Sequence, residues 1–190
     1  MRIIAGLYRF RELKAPKTDA TRPTASRMRE SFFNICQGII EDAVVLDLFA
    51  GSGAIGFEAL SRGAKSVAFV DESKEAIRCI HDNAKLLGVE KQIQVFHGDV
   101  YTMLRYLEKQ KRTFTLIYAD PPYAKRGDEG SSESSKVIDA IDKSNLLANG
   151  GEFFIEEAAD YPPVVGDIKT LILKSSRKLG RGLLQQYENV

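Results

Sequence analysis

From residue 43 onward, short apolar runs alternate with helical stretches, and the alternation recurs four times. The runs lie at 44–49, 66–70, 92–96, 114–119 and 152–156. Near-continuous apolar runs belong to strands covered on both faces, and parallel strands need a helix between them to return the chain. Between the second and third runs, SKEAIRCIHDNAKLLG sets Ala76, Ile77, Ile80, Ala84 and Leu87 on one helical face, and Gly88 ends the helix. Beyond the fifth run, IKTLILK and GLLQQYENV read as an antiparallel pair joined through the basic stretch SSRKLGRG. The expected fold is α/β and Rossmann-like: a seven-stranded, mostly parallel sheet with helices on both faces. With 190 residues, 44% of them hydrophobic, the chain can bury one core of this size and hardly two.

Ahead of the sheet, RIIAGLYRFRELK is strand-like with an internal glycine and predicts a small β-hairpin. ASRMRESFFNICQGI predicts a helix with Met28, Phe32, Ile35 and Cys36 facing inward. The chain thus divides into a basic hairpin extension at 1–23 and a main domain at 24–190. Its 27 basic and 26 acidic side chains nearly cancel, but not locally. Residues 1–30 carry eight basic groups against three acidic ones, a net of +5, and the remainder sums to −4. A basic arm on a mildly acidic body suits a protein that meets phosphates at one end, although a solvated surface gives the same count. Arg2, Arg9 and Arg11, interleaved with Tyr8 and Phe10, can contact phosphates and stack on bases; the two aromatics can equally pack the hairpin down. Arg22, Thr24, Arg27 and Arg29 surround a helix start, where they can bind nucleic acid or pair with Glu30. Lys174, Arg177, Lys178 and Arg181 either extend this surface or form a solvated turn.

The loop LDLFAGSGAIGFEAL follows a buried strand and opens a helix, where backbone N–H groups can approach a nucleotide-like ligand. Gly51, Gly53 and Gly56 satisfy G-x-G-x-x-G, and Asp71 ends the next strand twenty residues on, as a dinucleotide-binding unit also requires. Asp47 weighs against that: a carboxylate just before the glycines repels a pyrophosphate and suits the ammonium of an amino-acid moiety. Asp71 can accept from ribose hydroxyls or cap the helix beginning SKEA, and Asp99 in HGDV can accept from an adenine amino group or cap its own helix.

Asp120-Pro121-Pro122-Tyr123 closes the fourth run, at the sheet edge where open α/β folds bind ligands. The amino nitrogen of a nucleic-acid base is a poor nucleophile, because its lone pair is delocalised into the ring. An enzyme that methylates it must hold the N–H groups with acceptors and aim the nitrogen at the methyl donor. Asp120 can accept one N–H and the Pro121 carbonyl a second; Pro122 stiffens the turn, and Tyr123 offers a face for stacking. A strand that merely ends in a proline turn with a packed tyrosine is the structural alternative.

DLFAGSG is similar to the first motif of class I S-adenosylmethionine-dependent methyltransferases, and DPPY resembles their amino-methyltransferase motif. With RIIAG, the block RPTASRMRESFFN at 22–34 and DLFAGSGAIGFEALSRGA, nearly the whole chain resembles the RsmD-type bacterial 16S rRNA guanine-N2 methyltransferases. The resemblance implies S-adenosylmethionine as methyl donor, no metal, and a guanine in 16S rRNA of the small subunit or its assembly intermediate as acceptor. It supports cofactor contacts from Asp47, Phe49, Ala50, Gly51, Ser52, Gly53, Asp71, Glu72, Asp99 and Val100, and the basic N-terminal block by its own charge fits RNA contacts from Arg2, Arg9, Arg11, Arg22, Thr24, Arg27 and Arg29. The segment 124–136, polar and Gly/Ser-rich, departs from the family pattern and reads as a loop.

Two other classes share these motifs: a DNA adenine-N6 or cytosine-N4 methyltransferase, for which 190 residues leave little room to read the major groove, and a non-catalytic nucleotide- or RNA-binding module. Cys36 and Cys79 lie outside any C-x-x-C spacing, and no apolar run approaches the roughly 18 residues of a membrane span. A cytoplasmic monomer with reduced thiols is expected, and His81 and His97 are given no catalytic role.

Overall fold

The computed structural model describes residues 1–16, 23–123 and 132–190. Its strands are β1 (Val44–Leu48), β2 (Ser66–Asp71), β3 (Ile93–His97), β4 (Phe114–Ala119), β5 (Leu147–Ala158), β6 (Leu171–Leu179) and β7 (Gly182–Asn189). The helices are α1 (Pro23–Ile35), α2 (Ala54–Ser61), α3 (Lys74–Leu87), α4 (Val100–Lys109) and α5 (Glu133–Asp142). One seven-stranded sheet runs β3-β2-β1-β4-β5-β7-β6, with β1 to β5 parallel and β7 antiparallel to both of its neighbours. Helices lie on both faces over two apolar clusters. One holds Phe32, Phe57, Phe69, Tyr118 and Phe154, and the other Leu46, Val70, Ile117, Ile138 and Phe153. No helix among the described residues is long and apolar enough to cross a membrane.

Local chemistry sets the helix ends. Ser73 caps α3, its hydroxyl accepting from the Ala76 N–H at 3.3 Å, and Gly88 closes it in the left-handed conformation at φ 71°. Asp99 caps α4 by accepting from the Thr102 N–H at 2.9 Å. In the first cluster, Gly56 of α2 lies so close to β2 that a Cβ there would stand 2.2 Å from the Phe69 ring.

Three expectations need refinement or correction. The N-terminal segment closes as a hairpin too short to form strands: its described residues make one antiparallel bridge, Arg2 with Glu12, flanked by the Ile3 N–H donating to the Arg11 carbonyl at 3.0 Å and the Leu13 N–H to the Met1 carbonyl at 2.7 Å. Its backbone also bonds to α2. The N–H groups of Ile4 and Ala5 donate to the Glu58 carboxylate at 2.7 and 3.0 Å, and those of Leu7 and Tyr8 to the carbonyl and hydroxyl of Ser61 at 2.7 and 2.9 Å. Ile3 and Leu13 are buried in the same cluster as α1 and α2. The stretch SSRK belongs to β6 rather than to a turn, and Gly180 and Arg181 alone join β6 to β7. Residues 133–136 are the start of α5, capped by Ser132, whereas 124–131 fall outside the described residues.

Glu58 holds the arm through a fully buried carboxylate that also takes Arg62 Nε at 2.8 Å. Glu58→Ala leaves these donors unpaired and should cost about 2 kcal/mol. It should also raise backbone hydrogen exchange at Ile4 and Ala5 well before α3 is affected. Unchanged exchange at both amides would show that the arm is held by other contacts.

Candidate active site

The strand order reverses between β1 and β4: the chain leaves β1 toward β2 and β3, then returns on the other side to β4 and β5. A crevice forms at the carboxyl ends of strands on either side of such a reversal. The glycine turn after β1 and the DPPY turn after β4 therefore stand side by side, and the Asp120 N–H reaches the Leu48 carbonyl at 3.4 Å. A surface cleft of about 420 Å³ is lined by Gln94, Phe96, Tyr106 and Arg112 and lies away from these loops.

The turn from Phe49 to Gly53 is left-handed at three positions: Phe49 at φ 58°, Gly51 at 54° and Gly53 at 76°. For Phe49, a residue with a Cβ, this costs about 1–3 kcal/mol. The turn is fixed by carboxylates. The Gly51 N–H donates to Asp71 Oδ2 at 2.8 Å, and the Gly56 N–H, in the first turn of α2, to Asp47 Oδ2 at 3.0 Å. Asp71 Oδ1 accepts from the Ser73 N–H at 2.8 Å, so Asp71 braces the turn while Ser73 caps α3. Asn83, buried on α3, donates to the Ser52 carbonyl at 3.1 Å and to that of Lys14 at 2.9 Å, tying the turn to the arm.

Asp47 is 2% exposed. Burial pushes its carboxyl well above the usual carboxylate range; the nearby Asp71 adds to the rise and the Gly56 N–H opposes it. Such a group gains most from a cation placed against it. Asp99 uses Oδ1 for both the N–H and the hydroxyl of Thr102. Val100 is buried, Glu72 is exposed, and the Glu72 carbonyl lies 3.0 Å from His97 Nε2. Phe49 packs against the cluster that contains Val100.

In the second turn, Pro121 is buried and Asp120, Pro122 and Tyr123 are exposed. Tyr123 leaves 36% of its surface open, enough for a base to lie on. Its hydroxyl donates to Glu156 Oε2 at 3.1 Å, and the buried Tyr118 hydroxyl donates to Glu156 Oε1. Sequence reasoning missed Glu156 and Tyr118. The available signal was a pair of acids ending an otherwise apolar strand, FFIEEA.

The basic set separates by burial. Arg2, Arg9, Arg11 and Arg27 are exposed, and the guanidiniums of Arg9 and Arg2 lie over the Phe10 ring at 4.5 and 5.5 Å from its centroid. Phe10 is 59% exposed, whereas Tyr8 packs on the core. Arg29 is buried and turned inward, donating to the Arg2 carbonyl at 3.0 Å and to Met1 Sδ at 2.8 Å, so its charge does not face outward. Arg22 and the Thr24 side chain lie outside the described residues. On β6, Lys174 pairs with Glu188, Lys178 approaches Asp160 at 3.9 Å and Arg177 is exposed, as is Arg181 in the turn that follows.

This sheet order, with a glycine turn after the first strand and a crevice at the reversal, is the Rossmann-like fold of the class I S-adenosylmethionine-dependent methyltransferases. A family model described as Conserved hypothetical protein 95 matches residues 1–188, and the chain belongs to that family, the RsmD-type methyltransferases. The Bacillus subtilis protein YlbH is 35% identical over 170 residues, 88% of this chain and 89% of its own length. Ribosomal RNA small subunit methyltransferase D of Haemophilus influenzae is 31% identical, covering 90% of this chain and 86% of its own. Among solved structures, the Escherichia coli yhhF protein superimposes with a TM-score of 0.82 at 28% identity, over 100% of this chain and 97% of that one.

Proposed function

We propose that the chain transfers a methyl group from S-adenosylmethionine to the exocyclic N2 amino group of a guanine in 16S rRNA, within the small subunit or its assembly intermediate. The observation that carries this reading is the apposition of the two turns through the Asp120 N–H and the Leu48 carbonyl. One turn suits a methyl donor and its neighbour suits an amino acceptor. The name of the Haemophilus relative, ribosomal RNA small subunit methyltransferase D, supports the choice of substrate.

The glycine turn fits S-adenosylmethionine better than a dinucleotide. Two of its N–H groups are already spent on Asp71 and Asp47, so a pyrophosphate would meet two carboxylates instead of free donors. On this reading Asp47 faces the amino-acid ammonium, Asp71 and Glu72 the ribose hydroxyls, and Asp99, with its Oδ2 outside the helix cap, the adenine amino group. Phe49, Ala50, Ser52, Gly53 and Val100 complete the cradle. When bound, the cofactor supplies an electrophilic sulfonium methyl, and no metal is required. Asp120 and the Pro121 carbonyl take the acceptor N–H groups and align the nitrogen, and Tyr123 holds the base by stacking. Residues 1–23 serve as an RNA-contacting extension of a catalytic unit at 24–190. There Arg2, Arg9, Arg11 and Arg27, with Arg22 and Thr24, form the phosphate-facing set, and Arg29 serves as its anchor. The enzyme works as a cytoplasmic monomer.

The test is to incubate the protein with labelled S-adenosylmethionine and, in parallel, small ribosomal subunits, naked rRNA and duplex DNA, then to identify the modified nucleoside. N2-methylguanosine from the ribosomal substrate is expected. Methylated DNA bases would favour the DNA methyltransferase, and cofactor binding without transfer would favour a binding module.

A further inference from the structure

β5 ends in two adjacent carboxylates that the scheme above leaves unused, and they engage different partners. Glu157 receives the Ser134 hydroxyl and the Ala158 N–H, each at 2.6 Å. Glu156 is 7% exposed, and each of its oxygens receives a phenol, Tyr118 on Oε1 and Tyr123 on Oε2. A carboxylate buried this far costs several kcal/mol unless its lone pairs are used, so the two phenols account for its being tolerated.

The two phenols differ in what else holds them. Tyr118 is 1% exposed on β4, with the Phe32 ring 4.6 Å away, so packing holds its ring in addition to the bond to Glu156. Tyr123 follows two prolines outside any strand or helix and keeps an open face. Its hydroxyl is its anchored end. The wall beside that hydroxyl is cut back: a Cβ at Gly182 would stand 3.1 Å from Tyr123 Oη and 2.4 Å from Met28 Cε.

We propose that Glu156 is a positioning residue, tethering Tyr123 by its hydroxyl so that the open ring face is a fixed platform for the acceptor base. The proposal rests on the reading of Tyr123 as that platform. Tyr118 braces Glu156 from the core, so the ring's orientation is set by the sheet rather than by the turn alone.

The experiment compares Glu156→Gln, Tyr123→Phe and the double variant as full chains acting on small subunits. Glutamine keeps an acceptor and the volume, and phenylalanine keeps the ring. Each single change should lower kcat by about tenfold and leave the KM for subunits within about twofold, because alignment is lost and phosphate contacts are not. The double variant should be no worse than the poorer single one, since both changes act on the same Tyr123–Glu156 contact. Multiplying losses, or full activity in either single variant, would overturn the proposal.

A second measurement needs no turnover. Burial, then the charges of Glu156 and Asp120, with the hydrogen bond to Glu156 and the Glu157 charge behind them, raise the Tyr123 phenol above its usual range. Ultraviolet titration should therefore find a phenol in Glu156→Gln that ionises at lower pH than in the parent and is missing when Tyr123→Phe is added. If Tyr123 ionises alike with Glu or Gln at 156, the tether falls. If the shift is present but the parent methylates no RNA, the functional reading falls and the tether stands.

Discussion

Asp120→Ala is expected to lower methyl transfer by at least about 10³-fold while the dissociation constant for S-adenosylmethionine stays within about threefold. The split follows from position. Asp120 stands at the carboxyl end of β4, whereas the proposed cofactor residues gather at the ends of β1, β2 and β3. On the proposed reading its carboxylate accepts an N–H of the acceptor amine and favours the growing positive charge on nitrogen. Alanine removes both effects at the step where they matter and neither from the resting cofactor. Asp120 is exposed and its backbone N–H still reaches Leu48, so folding should survive, with a Tm within a few degrees of the parent. Asp120→Asn keeps an acceptor without the charge and should fall between the two. The measurement is single-turnover transfer to small subunits alongside calorimetric cofactor binding. Transfer within tenfold of the parent would remove Asp120 from the chemistry, and equal losses in binding and transfer would move it into the cofactor site.

What the sequence disclosed was local. The parallel strands are continuous apolar runs, and α3 carries its own cap in Ser73 and its own stop in Gly88. The candidate site was legible where motif residues are neighbours in sequence, as in DLFAGSG and DPPY. It was illegible where partners are distant. The N-terminal segment has strand-like composition, yet its N–H groups find acceptors on Glu58 and Ser61, more than fifty positions away. No local pattern announces that, although Glu58 is the single charge in the apolar helix AIGFEALS.

Arg29 teaches a related lesson. Charge clustering alone places it among the RNA-contacting residues, but it shares a helical phase with the buried Phe32, Phe33 and Cys36. Phase outranks composition there, because the face that packs on the sheet is chosen by its apolar majority. Glu156 needed the topology itself. Only when β5 lies beside β4 does its side chain meet Tyr118 and, through the end of the turn, Tyr123.

Asp47→Asn should make the protein more stable at neutral pH and worse at holding its cofactor. Burial raises the folded carboxyl above its ordinary value of 3.8, so between that value and the raised one the native state keeps a proton that the unfolded chain has lost. Stability therefore falls as pH rises through this window, and the ionised group remains a burden above it. Asparagine does not titrate, and its side-chain oxygen can still accept the Gly56 N–H that Asp47 takes at 3.0 Å. Each kcal/mol of relief should raise Tm by about 2–4 °C in a chain of this size. The gain should be present at pH 7 and vanish in acid near the ordinary carboxyl value. Against the cofactor's ammonium, the same change forfeits a charge-assisted hydrogen bond and should weaken S-adenosylmethionine binding by about 10–100-fold. Parent affinity should also decline as pH falls through the raised carboxyl value, while the asparagine variant stays flat over that range. Thermal melts and binding isotherms across pH check both halves. A variant that is stabilised but binds as tightly as the parent would reduce Asp47 to a brace for α2, and the ammonium would need another partner.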